Sequence, residues 1–242
     1  AARRDVFLMG PRLAFSGMFL SIGFLLGCWA PKLPVLMQRL QISESTAGMM
    51  VLILGLGSVT MMPVCGAITA RHGSAWASRL TAVLAAPTIL LLSLMPGLWS
   101  MAVAIYLFGG FVGGMDVAMN ANAVAVERAR KRAIMSSCHG FWSVGAFIGA
   151  RFGGIAQSLV GEVGPAVLVP LAVAGILALI LPRVLDDAHT GGHAERVPLR
   201  LPRSALPYLI GLLSLCSMIP EGAIIDWAAV YLRRDLGSSV WL

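Results

Sequence analysis

Four ionisable residues stand inside long apolar stretches of the chain: Asp116, Arg151, Glu221 and Asp226. A charged side chain at the centre of a membrane helix costs at least ~2.5–3.5 kcal/mol, so such residues mark an ion or substrate pathway by default. Asn120 follows Asp116 by one helical turn, which puts a carboxylate and an amide on one face, while Asn122 points to another flank. Gly109, Gly110, Gly113 and Gly114 precede them and let a neighbouring backbone or a ligand come close. Ser214, Ser217 and Glu221 fall at i, i+3 and i+7, a polar stripe on an apolar segment, and Pro220 removes a helix hydrogen bond beside Glu221. Asp226 lies about 140° around the helix from Glu221, so the two carboxylates are not expected to act as a pair. These residue types offer proton exchange and hydrogen bonding to a small solute. Asp116 and Arg151 also admit a structural ion pair; binding or proton coupling is the favoured reading. For Asp226, nearer one membrane face, a structural role is favoured.

Such residues need elements that hold them at depth. Of 242 residues, 58% are hydrophobic and 12% charged, with mean hydropathy +0.84. A soluble domain carries about 25% charged residues, so most of this surface must meet lipid. At roughly 20 apolar residues per crossing, the runs 13–30, 46–70, 76–95, 100–126, 137–160, 164–182 and 207–232 predict seven transmembrane helices. The breakers between them include Pro31-Lys-Leu-Pro34, Arg71-His-Gly73, the charged run Glu127–Arg132 and the polar linker 183–206. A rise of ~1.5 Å per residue places Asp116, Arg151 and Glu221 near the middle of a core about 30 Å thick.

The charge of +7 does not indicate nucleic acid, because the basic residues sit in short clusters between apolar runs. With the N-terminus inside, the inner segments hold Arg3, Arg4, Arg12, Arg71, Arg79, Arg128, Arg130, Lys131, Arg132, Arg183, Arg196, Arg200 and Arg203. The outer segments hold Lys32, Arg39, Arg233 and Arg234, so the bias predicts a cytoplasmic N-terminus. No A-x-A site follows the first span, which is expected to stay as a helix. Cys28, Cys65, Cys138 and Cys216 form no CxxC pair and read as small buried hydrophobes. No metal, cofactor or disulfide framework is expected. Gly145, Gly149 and Gly153 recur every four residues and make a packing stripe, with Arg151 roughly opposite it and facing a polar cavity.

Three stretches resemble the major facilitator superfamily, most closely a bacterial inner-membrane subgroup related to the fucose–proton symporters. They are Asp116-Val-Ala-Met-Asn-Ala-Asn-Ala-Val with Glu127, Met135-Ser-Ser-Cys-His-Gly-Phe-Trp-Ser-Val-Gly145, and Glu221-Gly-Ala-Ile-Ile-Asp-Trp-Ala-Ala-Val-Tyr-Leu232. The resemblance implies an all-α polytopic bundle of twelve helices in two halves, built from three-helix repeats. This chain would supply the N-terminal six-helix bundle (1–182), the cytoplasmic linker (183–206) and the first helix of the second half (207–242). The remaining helices are expected in the full-length chain, and the initial Ala1 fits a partial sequence. Spans four and seven, which carry Asp116 and Glu221, correspond to cavity-lining helices.

The family's cytoplasmic signature resembles Gly66-Ala-Ile-Thr-Ala70-Arg71-His-Gly73, with Ala70 where an Asp is usual. Gly66, Arg71 and Gly73 are therefore the candidate gate residues, joined by His139 at the mouth of span five, although a lone interfacial histidine is more often inert. The family also pairs helix five with helix eight of the second half, which would leave the glycine stripe of span five without its partner.

The function implied is secondary active transport of a small polar solute by alternating access across the cytoplasmic membrane, coupled to protons. Asp116 would be the coupling carboxylate, Asn120 and Asn122 would contact substrate, Arg151 would bias the charge state or bind an anion, and Glu221 would contribute from the other half. A retinal-type seven-helix receptor is disfavoured because Lys32 and Lys131 read as loop residues. An intramembrane enzyme is disfavoured because there is no HExxH or GxSxG motif, and Gly113-Gly-Met-Asp116 only approaches the Gly-x-Gly-Asp of aspartyl intramembrane proteases.

Overall fold

The computed structural model describes residues 2–180, 182 and 204–239. Among the described residues every regular element is an α-helix: α1 Ala2–Trp29, α2 Lys32–Leu40, α3 Glu44–His72, α4 Ser74–Ala85, α5 Thr88–Leu94, α6 Leu98–Arg130, α7 Met135–Val160, α8 Val163–Ile180 and α9 Leu206–Arg234. They follow the seven expected spans, two of which are built from two helical pieces. The predicted linker lies outside the described residues from 183 to 203.

Six stretches are long and apolar enough to cross a membrane: 12–40, 44–72, 74–94, 98–129, 163–180 and 206–234. The chain is a multi-pass membrane protein. Span five, now α7, is not among the six, because Arg151, Gln157 and its glycines dilute its hydropathy. It is nonetheless a full-length helix packed along α1.

The first span differs from expectation. Pro31-Lys-Leu-Pro34 does not end it: the chain turns at Ala30 and Pro31 and resumes as α2. Proline is tolerated there because a first-turn residue has no intrahelical N–H bond to lose. Lys32 and Arg39 are therefore helical residues and not loop residues. Lys32 is 1% exposed and donates from Nζ to Ser93 Oγ. Arg39 donates to the carbonyls of Leu92, Ser93 and Met95 at 3.1, 2.7 and 3.1 Å, and pairs with Glu162 at 2.6 Å. These bonds satisfy the last carbonyls of α5, which a helix end leaves open, and tie α2 to α5 and the α7–α8 turn.

Two parallel helix pairs form the frame. In α1·α7, a Cβ placed on Gly145 would lie 2.2 Å from Leu20 O, and one on Gly149 2.2 Å from Phe24 O. Gly23 and Gly27 reciprocate against Trp142 O and Ala146 O, each at 2.1 Å. The glycine stripe of α7 thus already has its partner, α1, and does not await a helix from a second half. In α3·α6, a Cβ placed on Gly57 would clash with Tyr106 O and one on Gly109 with Leu54 O. A buried thiol closes each seam: Cys28 donates to Gly149 O at 3.2 Å and Cys65 to Gly114 O at 2.9 Å. Close backbone approach supplies the dispersion contacts that hold helices together where lipid offers no hydrophobic drive.

Candidate functional site

The frame sets two groups of polar residues at different places. The first is on α6. Asn120 donates from Nδ2 to Asp116 Oδ1 at 3.1 Å and to the Asp116 carbonyl at 2.8 Å, so the amide holds the carboxylate one turn below it. Both are half-buried. His139 comes from the first turns of α7, where its ring stands edge-on to Phe19 with centroids 5.1 Å apart. It is within electrostatic reach of Asp116. The sequence grouped His139 with the loop signature; the structure brings it within electrostatic range of the carboxylate. Asn122, on the other flank as its spacing requires, is fully buried and donates to Ser74 Oγ of α4 at 2.5 Å. That bond clamps α4 to α6.

The second group lines a cavity of about 710 Å³ between the C-terminal part of α1, the middle of α7 and the second half of α9. Arg151 and Glu221 both line it, one from α7 and one from α9. Arg151 is exposed and lines this cavity, which is mainly apolar and not the polar cavity expected opposite the glycine stripe. The other walls are apolar: Leu26, Trp142, Phe147, Ile224, Ile225 and Leu232 among them. Asp116, Asn120 and His139 do not line it.

One end of this cavity is latched. Trp29 Nε1 donates to Asp226 Oδ1 at 3.0 Å, Arg233 donates to Gln38 Oε1 at 3.3 Å, and Arg234 pairs with Glu44. Every one of these bonds joins the C-terminal third of α9 to α1, α2 or the start of α3. The segment from Leu206 to Pro220 is exposed throughout. Helix α9 runs unbroken through Pro220 and touches the rest of the described chain at its latched end.

At the far end of the bundle, Gly73 joins α3 to α4 with φ +85°, a backbone angle that penalises any side chain. Gly66 is half-buried, Arg71 is exposed in the last turn of α3, and His72 stacks on Trp76 with centroids 4.9 Å apart. Glu127, which carried no role in the sequence reading, accepts from the N–H groups of Ile134 and Met135 at 2.7 and 3.0 Å. Its carboxylate caps the N-terminus of α7, where a negative charge meets the positive end of the helix dipole. The signal was an acid placed eight residues before a helix start.

The family profile described as Major Facilitator Superfamily matches residues 13–242. An uncharacterized transporter, y4wD, of Sinorhizobium fredii is 36% identical over 96% of this chain and 61% of its own length. An uncharacterized MFS-type transporter of Yersinia pestis is 33% identical over 91% of the chain and 57% of its own. Membrane protein MosC of Rhizobium meliloti is 28% identical over 91% of the chain and 54% of its own. The chain thus spans less than two thirds of the length of these curated relatives.

Proposed function

The chain belongs to the Major Facilitator Superfamily, and from that premise we propose that it forms the greater part of a proton-coupled secondary transporter, not an enzyme. It would sit in a bacterial cytoplasmic membrane with its N-terminus inside, residues 1–182 forming the first six-helix half. A small solute would occupy the cavity of Arg151 and Glu221 and cross by alternating access. The observation that carries this reading is the cavity itself: two opposite charges line one space, Arg151 from α7 and Glu221 from α9. Water or solute must accompany charges held at this depth.

Asp116 is the proposed coupling carboxylate. Asn120 holds it in one orientation, and the imidazole of His139 is within electrostatic range. Asp116 lies off the cavity, so proton release and solute binding would be coupled through movement of α6 and α7 and not by direct contact. The curated relatives named as transporters support the class and leave the solute open; kinship with fucose–proton symporters is part of the proposal only as a source of mechanism. The decisive measurement is uptake in proteoliposomes. Asp116→Asn should abolish uptake driven by a pH gradient while sparing solute counterflow, and undiminished gradient-driven uptake would remove Asp116 from the mechanism.

A further inference from the structure

We propose that Arg39 is a positioning residue for the latch: it braces α2 against α5 and the α7–α8 turn, so that the opposite face of α2 is presented to α9. The place of this brace in a transport cycle rests on the reading above; its effect on the contact between α2 and α9 does not.

The path of the chain does not by itself fix α2. Pro31 and Pro34 carry no N–H, so neither can carry the hydrogen bonding of α1 onward, and the break at Ala30 and Pro31 would leave α2 free to tilt. A helix of nine residues is also too short to be stable alone. Its orientation must come from its side chains.

Lys32, Leu36 and Arg39 fall at i, i+4 and i+7 and share one face. On that face Lys32 and Leu36 are buried, and Lys32 Nζ donates to Ser93 Oγ. The guanidinium of Arg39 donates to the carbonyls of Leu92, Ser93 and Met95 and to the Glu162 carboxylate. All of these partners belong to α5, its C-terminal end or the α7–α8 turn. Pro34, Met37, Gln38 and Gln41 fall on the opposite face, where they line a cavity of about 660 Å³ with Val230, Arg233 and Arg234 of α9. Among the described residues, the one hydrogen bond from α9 to α2 is Arg233 to Gln38 at 3.3 Å. The two faces are therefore unequal. One is held by several charge-assisted bonds, which are the stronger kind, and the other by a single long one. When α2 and α9 part, α2 stays with α5.

The test places nitroxide labels on Ser45→Cys and Asp235→Cys, two exposed positions flanking the latch, in a Cys216→Ser background. The distribution of distances between them is read in lipid nanodiscs. Arg39→Gln should shift it to longer distances and at least double its width. Arg39→Lys keeps the charge but not the fork of donors, and should fall between the native protein and Arg39→Gln. Glu162→Gln leaves the three carbonyl bonds of Arg39 in place and should widen the distribution less than Arg39→Gln does. Gly149→Ala disturbs the α1·α7 seam instead; it should lower Tm and leave the distribution unchanged. A native distribution in Arg39→Gln, whatever its Tm, would overturn the proposal. Equal widening in Arg39→Gln and Gly149→Ala would do the same, because any loosening of the bundle would then open the latch. If Arg39→Gln yields no folded protein, Arg39→Lys decides: a widened distribution upholds the brace and a native one overturns it. The distances are read without solute, so a failure here falls on the brace alone. A native protein without gradient-driven uptake would lose the transporter reading and keep the brace.

Discussion

Trp29 Nε1 donates to Asp226 Oδ1 at 3.0 Å, joining residues 197 positions apart on the first and last helices. Because Arg233–Gln38 and Arg234–Glu44 lie at the same end, this face of the α1·α9 contact is closed while the beginning of α9 stands apart. On the proposed orientation, with the N-terminus inside, the closed end would be the outer one and the cavity would open inward. Alternating access requires that this latch break. Tying Gln38→Cys to Arg233→Cys with a bifunctional thiol reagent should therefore stop transport, and reducing the link should restore it. Cys216 is the one exposed native cysteine, so the experiment belongs in a Cys216→Ser background. Full transport by the linked protein would remove the latch from the cycle.

The glycine seam makes a sharper stability prediction. Gly149→Ala would set a methyl 2.2 Å from Phe24 O, so α1 and α7 must separate. Overpacking of this kind costs about 1–3 kcal/mol. Gly140 lies on the same helix with nothing within 4 Å of an added Cβ, so Gly140→Ala should be neutral or slightly stabilising. Thermal unfolding in detergent compares the two; an equal response would show that the seam is loose.

Lys32 and Ser93 give a test of a buried polar pair. Ser93→Ala leaves a 1%-exposed ammonium without its hydroxyl, which should cost about 1–3 kcal/mol. Lys32→Met fills the same space without the charge, and replacing a buried charge by an apolar group of similar volume is often neutral or favourable. The double variant should then be more stable than Ser93→Ala alone. If the effects of the two substitutions simply add, the bond contributes nothing.

What was legible in the sequence follows from range. The spans could be read because the bilayer fixes their length. The Asp116–Asn120 bond and the separate direction of Asn122 are consequences of helical spacing alone. Contacts between helices were not legible. Lys32 read as a loop residue because its partner, Ser93, is 61 residues away and nothing local announces it. The glycine stripe of α7 was recognisable, but its partner α1 runs parallel to it and is separated from it by five other helices in the chain. His139 came within electrostatic range of Asp116 only once α6 and α7 were packed. Arg151 and Glu221 came together for the same reason: equal depth does not say which helices are neighbours.

The last prediction concerns Glu127, whose carboxylate accepts from both Ile134 and Met135 N–H groups. Those donors belong to the first turn of α7, the helix that carries His139, Trp142 and Arg151. Replacing Glu127 with Ala should leave both N–H groups to solvent, so hydrogen exchange at Ile134 and Met135 should accelerate while exchange in the α1·α7 seam stays slow. Glu127→Gln keeps an acceptor oxygen but not the charge that favours the helix N-terminus, and should fall between the two. If the cap also sets the position of His139 against Asp116, the pH dependence of uptake should move in Glu127→Ala and return toward that of the native protein in Glu127→Gln. A change in exchange without any change in the pH profile would confine Glu127 to holding the end of α7.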